Sequence, residues 1–357
     1  MKSDNIFTGV QALRFIAAML VVYTHATGMV AERLLGFTTD GSWQPGQSGV
    51  DLFFVISGFV MATSSRNLIG RIDACKIFLT RRIIRIVPLY WIATTLKVAL
   101  LLAIPALPRN TPIDFQHVVS SYLFLPTFDE NSHLSFPVMQ VGWTLNYEML
   151  FYALFAFALF IKQPVLKFTA TLFVILSFIH SIAGPSFAYA YGFLDPILLE
   201  FVMGMAVAEI CRRGFTLNPW VGLIAVVISF AIMFNSGDLP IGWRWAFWGL
   251  PAMVIVGVVT LLESTLRGYI PKLITTLGDA SYSIYLFHTF VIPVLGIIFV
   301  KLNLASPVVA LTISMILSPL VGLIIYKLLE LPMTRWFKQR TSPPTKGPTI
   351  SPNLGGV

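Results

Sequence analysis

The chain has 357 residues, 56% hydrophobic and only 11% charged, with a mean hydropathy of +0.80 and a formal net charge of +8. Soluble domains carry about 25% charged residues, so the composition excludes a water-soluble globule and makes the bilayer the natural solvent. The basic residues lie between apolar segments and form no extended stripe, which argues for orientation in a membrane and against a nucleic-acid partner.

A helix of about 20 apolar residues spans a bilayer. In chain order, that length predicts about ten spans, over roughly 8–29, 48–65, 83–104, 143–161, 167–183, 188–210, 219–235, 244–263, 281–300 and 305–328. The expected fold is an all-α polytopic transmembrane bundle. The stretch 118–126 is too short to cross and reads as a re-entrant or interfacial piece of the loop 105–142. Lys2, Arg66, Arg71, Lys76, Arg81, Arg82, Arg85, Arg212, Arg213, Arg267, Lys272, Arg335 and Lys338 fall on one side of such a bundle, whereas Arg33, Arg109, Arg244 and Lys301 fall on the other. The positive-inside rule then predicts that both termini are cytoplasmic. The segment 1–340 is expected to form the membrane domain. The tail 341–357, rich in Pro, Ser, Thr and Gly, is expected to be disordered. The two cysteines, Cys75 and Cys211, adjoin basic loops, and no structural disulfide is expected. The first apolar segment lacks a clear cleavage site and reads as a retained helix.

Ionisable residues inside spans are costly and usually mark function. Arg14 and His25 share one face of the first helix, three turns apart, about 16 Å along the axis by the helical rise. A cation near one surface and an imidazole past the middle suit a reaction that bridges the membrane. The bland alternative is a snorkelling arginine and a histidine bonded to a neighbouring helix. Imidazole titrates near neutrality, so His25 is a candidate general base or covalent acyl carrier. TRRIIRIVPLYW packs Arg81, Arg82 and Arg85 into little more than one turn. Guanidinium forks match phosphate, although positive-inside anchoring explains the cluster equally well.

In GQSGVDLFFVISGFVM, Asp51 is expected to cap the second helix, with structure favoured over catalysis; Ser57 lacks a Gly-x-Ser-x-Gly context and is a weak nucleophile candidate. In VGWTLNYEMLFY, Glu148 falls at a depth comparable to His25, where a carboxylate can orient an imidazole. The bland reading bonds it to Trp143 or a tyrosine. In LGDASYSIYLFHTF, Asp279 or Ser281 is expected to cap the ninth span. Tyr282, Tyr285 and His288 line one face. His288 is the rival to His25 as base, with a structural hydrogen bond as its alternative role. Glu200, Glu209 and Glu330 read as helix-pairing or interfacial acids. No zinc-ligand spacing, Walker loop or dinucleotide fingerprint occurs, so no metal is expected.

These blocks together resemble the acyltransferase-3 family of integral membrane proteins. The resemblance rests on Arg14 and His25, GVDLFFVISGF at 49–59, Arg82 and Arg85, WTLNYEMLFY at 143–152 and SYSIYLFH at 281–288, and it ends with Glu330-Leu331-Pro332. It implies a ten-helix core in the bacterial inner membrane that uses acetyl-CoA, or another acyl-CoA, to O-acylate a carbohydrate outside the cytoplasm, as polysaccharide or as lipid-linked oligosaccharide. The essential histidine would be His25 with Arg14 as its partner cation, and Arg82 and Arg85 would bind the donor. The short tail makes the chain most similar to the stand-alone exopolysaccharide-production (ExoZ-type) branch. The competing expectation is a secondary transporter of a small anion or sugar, in which intramembrane Arg and His form the substrate path.

Overall fold

The computed structural model describes residues 7–37, 45–104, 114–126, 136–183, 194–236, 243–304 and 306–341. Among them all regular structure is helical. We number the main helices α1 (Thr8–Leu34), α2 (Gly49–Ser64), α3 (Ala74–Ala103), α4 (Phe115–Tyr122), α5 (Trp143–Phe160), α6 (Val165–Ala183), α7 (Leu199–Arg212), α8 (Pro219–Asn235), α9 (Leu250–Leu261), α10 (Lys272–Asp279), α11 (Ser281–Lys301), α12 (Pro307–Ile325) and α13 (Leu331–Thr341).

Each of the ten predicted spans overlaps a helix among the described residues. Seven helices among the described residues are long and apolar enough to cross a membrane, while Pro219–Asn235 and Trp245–Leu261 are apolar but shorter. The segment predicted over 188–210 is described as helix only from Pro196 onward. Two boundaries move for physical reasons. Helix α3 begins at Ala74, so Arg81, Arg82 and Arg85 lie inside the helix rather than at its start. Helix α12 runs through a π-turn at Tyr326–Glu330 into α13, giving one apolar-to-basic helix over Pro307–Thr341. The stretch 118–126 holds the end of the eight-residue α4, capped by Asp114, whose carboxylate accepts from His117 N at 2.6 Å. The disordered-tail expectation for 342–357 lies outside the described residues. Cys75 and Cys211 are both free thiols, as expected.

Small residues set the spacing of the central helices. A Cβ at Gly58 would lie 2.0 Å from Phe201 O, and one at Gly204 would lie 1.9 Å from Val55 O. The α2 and α7 backbones therefore touch, a contact that only glycine permits. Helix α1 is gripped by α2, α10, α11 and α12. Its first amides are closed by a distant carboxylate: Glu263 accepts from Thr8 N at 2.7 Å, Gly9 N at 2.9 Å and the Thr8 hydroxyl at 2.8 Å. An acid at a helix N-terminus satisfies orphan donors and opposes the positive end of the dipole. That anchor fixes the axial position of Arg14 and His25. Three apolar clusters surround this centre, and Phe53 on α2 packs against all three.

Candidate active site

A cavity of about 130 Å³ opens between α1, α2, α3, α5 and α11. Its polar lining comes from Arg14, Ser57, Arg82, Arg85, Thr144, Glu148, Tyr152, Ser281, Tyr282 and Tyr285, set among apolar side chains of α2. On α2 the lining runs from Val50 to Met61, a length of roughly 16 Å by the helical rise. Three guanidinium groups face one carboxylate across it, so the cavity has the charge of an anion site.

The arginines are not equivalent. Arg85 forms an ion pair with Glu330, whose second oxygen accepts from Ser283 Oγ at 2.6 Å. Its charge is largely committed to a carboxylate 1% exposed. Arg82 donates to Ser64 Oγ at 3.1 Å and stands 5.7 Å over the Phe78 ring; its buried Nε has no hydrogen-bond partner among the described residues. Arg14 donates weakly to Gln11 Oε1 at 3.4 Å. Arg81 is exposed and does not line the cavity. Arg14 and Arg82 are thus the cations with most donor capacity left.

Glu148 accepts from Ser57 Oγ at 3.1 Å and from the Tyr152 hydroxyl. The expected pairing of Glu148 with His25 does not occur: two hydroxyl donors hold the carboxylate, and the ring that faces His25 is His288, at 4.9 Å between centroids and 47° between planes. His288 in turn lies 6.1 Å from the Tyr285 ring. The structure also separates the two residues that share a face of α1. Arg14 lines the cavity, whereas the half-buried His25 does not; it meets His288, which in turn packs near the cavity-lining Tyr285. Tyr285 donates to Val141 O at 2.8 Å and meets Thr144 Oγ1 at 2.8 Å; Tyr282 donates to Ile86 O at 2.8 Å. The tyrosine wall is therefore held rigidly by α3, α5 and the turn before α5.

Neither capping expectation holds. Asp51 does not cap α2; it forms a two-point ion pair with Arg244 at 2.8 and 3.0 Å, and Arg244 also donates to Gln47 O at 3.1 Å and stacks 4.5 Å over Trp248. Neither Asp279 nor Ser281 caps α11, because Ala280 keeps a helical backbone and α10 runs almost directly into α11. Ser281 instead lines the cavity, with its hydroxyl unpartnered. Of the acids read as helix-pairing or interfacial, Glu330 joins two helices through Arg85 and Ser283, and Glu209 pairs with the exposed Arg212 and Arg213. Sequence reasoning missed Tyr152 as a site residue. Its i+4 spacing from Glu148 placed the two on one face and was a usable signal. The Arg85–Glu330 and Asp51–Arg244 pairs join residues far apart in the chain, and no local spacing announces them.

A polytopic helical bundle with arginines gathered in a cavity between its central helices defines the class of protein, an integral membrane protein with a polar site inside its bundle. The family model described as "acyltransferase domain" matches residues 7–327, and the chain belongs to that family. It is an enzyme, a membrane acyltransferase. Among its relatives, the exopolysaccharide production protein ExoZ of Rhizobium meliloti strain 1021 is 36% identical over 296 residues, 81% of this chain and 90% of that protein. Acyltransferase MdmB of Streptomyces mycarofaciens is 27% identical over 78% of this chain and 77% of its own length. O-acetyltransferase OatA of Staphylococcus aureus is 23% identical over 94% of this chain, which spans 58% of that longer protein. No solved structure matches the chain significantly. The family result removes the basis for the transporter reading.

Proposed function

We propose that the chain moves an acetyl, or other short acyl, group from cytoplasmic acyl-CoA to a hydroxyl of an extracytoplasmic polysaccharide or lipid-linked oligosaccharide in the bacterial inner membrane. The cavity carries this reading: it joins Arg14, Arg82 and Arg85 in one space and abuts the ring stack Tyr285, His288 and His25. The names of its relatives, an exopolysaccharide production protein and an O-acetyltransferase, support the acceptor class.

In this reading Arg82, with a free buried Nε, takes a phosphate of coenzyme A. Arg85, largely committed to Glu330, contributes less, and Arg81 attracts the nucleotide from the exposed end. The pantetheine arm passes along α2 beside Ser57 and presents the thioester toward the tyrosine wall. The acceptor oxygen attacks the thioester carbonyl and the C–S bond breaks. In that direct route His25 takes the hydroxyl proton and passes it to the sulfur. In the alternative route the His25 nitrogen attacks the carbonyl first, and the C–S bond breaks as the ring proton passes to the sulfur. The acceptor hydroxyl then attacks the acyl-imidazole and returns its proton to the ring, so that coenzyme A leaves as the protonated thiol either way. Arg14 orients the donor and opposes negative charge developing on the carbonyl oxygen.

Thermal melting of the purified protein in detergent with and without coenzyme A tests the donor site. The expected result is a coenzyme-A-dependent rise in Tm for the unmodified chain and for His25→Ala, lost in Arg82→Ala and restored in part by Arg82→Lys. A full shift in the Arg82→Ala, Arg85→Ala double variant refutes the site.

A further inference from the structure

The second imidazole in the stack has no role in the transfer just described. His288 is fully buried on α11, and its Nδ1 lies 3.2 Å from Ile284 O, one turn back on the same helix. A carbonyl oxygen only accepts, so Nδ1 must carry the proton of this ring. In a neutral imidazole that leaves Nε2 with a bare lone pair. Nε2 is buried and has no hydrogen-bond partner among the described residues. An unmet acceptor in such a place is costly and calls for a donor. Two polar rings pack against His288: Tyr285, at 6.1 Å between centroids, whose hydroxyl already donates to Val141 O, and His25, at 4.9 Å. The two histidines meet here as a ring contact, and an N–H···N hydrogen bond between them requires the His25 ring to turn; catalytic hydrogen bonds are often loose before substrate arrives.

We propose that His288 is a positioning residue for His25. Its Nε2 accepts the N–H of His25, which fixes the tautomer of His25 and leaves the opposite nitrogen as a lone pair aimed at the acceptor hydroxyl. This inference rests on His25 being the group that takes the proton. It assigns to a histidine the part that a carboxylate plays in other base-orienter pairs, and it explains why Glu148 is free to hold Ser57 and Tyr152 instead.

Three substitutions separate the two nitrogens. In His288→Gln the amide oxygen stands near the place of Nε2. In His288→Asn the amide stands near Nδ1 and keeps only the bond to Ile284 O, while His288→Phe keeps neither. At equal protein abundance and with the coenzyme A shift intact, the proposal expects His288→Gln to stay within about tenfold of the unmodified enzyme, and the other two to lose about 100-fold or more in acyl transfer. Full activity in His288→Asn or His288→Phe, or none in a folded His288→Gln, overturns it. Ring-¹⁵N spectra of labelled protein give a readout without mutating His288. They should show His288 protonated on Nδ1, with an Nε2 resonance that moves when His25→Ala removes its donor. A proton on Nε2, or no change in His25→Ala, overturns it equally. Retained transfer in His25→Ala instead removes the assignment of His25 itself, and the spectra still report on the pair.

Discussion

At the scale of single residues, the cavity is a small set of charges whose values depend on their partners. Arg82 and Arg85 look alike in the sequence, one helical turn apart, but only Arg85 has a buried carboxylate for a partner. Removing one member of a buried pair strands the other. Arg85→Ala should therefore cost stability, about 3 kcal/mol, beyond any loss of donor binding. Arg82→Ala should cost little stability and act on binding alone. Melting curves of the two variants without ligand check this, and equal Tm values would contradict it. Glu148 offers a second contrast. Tyr152→Phe leaves its carboxylate with Ser57 as its remaining hydroxyl donor among the described residues. That loss should destabilise by about 1 kcal/mol, the usual net worth of one intramolecular hydrogen bond, and Glu148→Gln should be milder because an amide oxygen still accepts from both hydroxyls. A tyrosine partner for Glu148 was one of the expected alternatives, and the i+4 spacing of Tyr152 carried the signal that would have singled it out. The preference of His25 for His288 over Glu148 was not legible, because it depends on how far α1 and α11 slide past each other, which no sequence interval encodes.

At the scale of elements, the order and type of the helices were legible and their joints were not. Runs of apolar residues mark each span whatever it packs against. The joints depend on tertiary partners. Asp279 and Ser281 have the composition of a cap, yet the backbone stays helical through Ala280 because α10 packs on α1, with Gly278 so close that a Cβ would meet Gln11 O at 2.0 Å. Asp51 sits in the first turn of α2, and its partner Arg244, on the turn before α9, draws it away from capping. The seam between α2 and α7 is the most sensitive joint, since both backbones approach through glycine. Gly204→Val should push the helices apart and shift the wall that carries Ser57. The expected cost is about 1–3 kcal/mol, typical of overpacking. It should appear as a lower Tm and lower membrane abundance, together with weaker coenzyme A binding. An unchanged Tm would show that the seam can open freely.

At the scale of the whole molecule, the account requires a vectorial enzyme, with its arginine end toward the donor compartment and its histidine pair toward the acceptor. Basic residues concentrate at the arginine end, among them Arg66, Arg71, Lys76, Arg81 and Lys338, which predicts that this end faces the cytoplasm. Single cysteines at Arg71, Arg267 and Lys301, in a chain freed of Cys75 and Cys211, test that orientation. A membrane-impermeant maleimide applied to intact cells should label Lys301→Cys alone and reach the other two only after permeabilisation. The opposite pattern would invert the bundle and place the cationic cavity mouth on the wrong side for a cytoplasmic donor.

The central claim is that His25, beyond the cavity that holds Arg14 and Arg82, completes transfer of an acyl group to surface carbohydrate. Mass spectrometry of surface polysaccharide tests it most directly, comparing cells that make the unmodified chain with cells that make equal amounts of His25→Ala. The account predicts acyl-bearing repeat units in the first and bare repeat units in the second. Polysaccharide acylated to the same extent in both would contradict it.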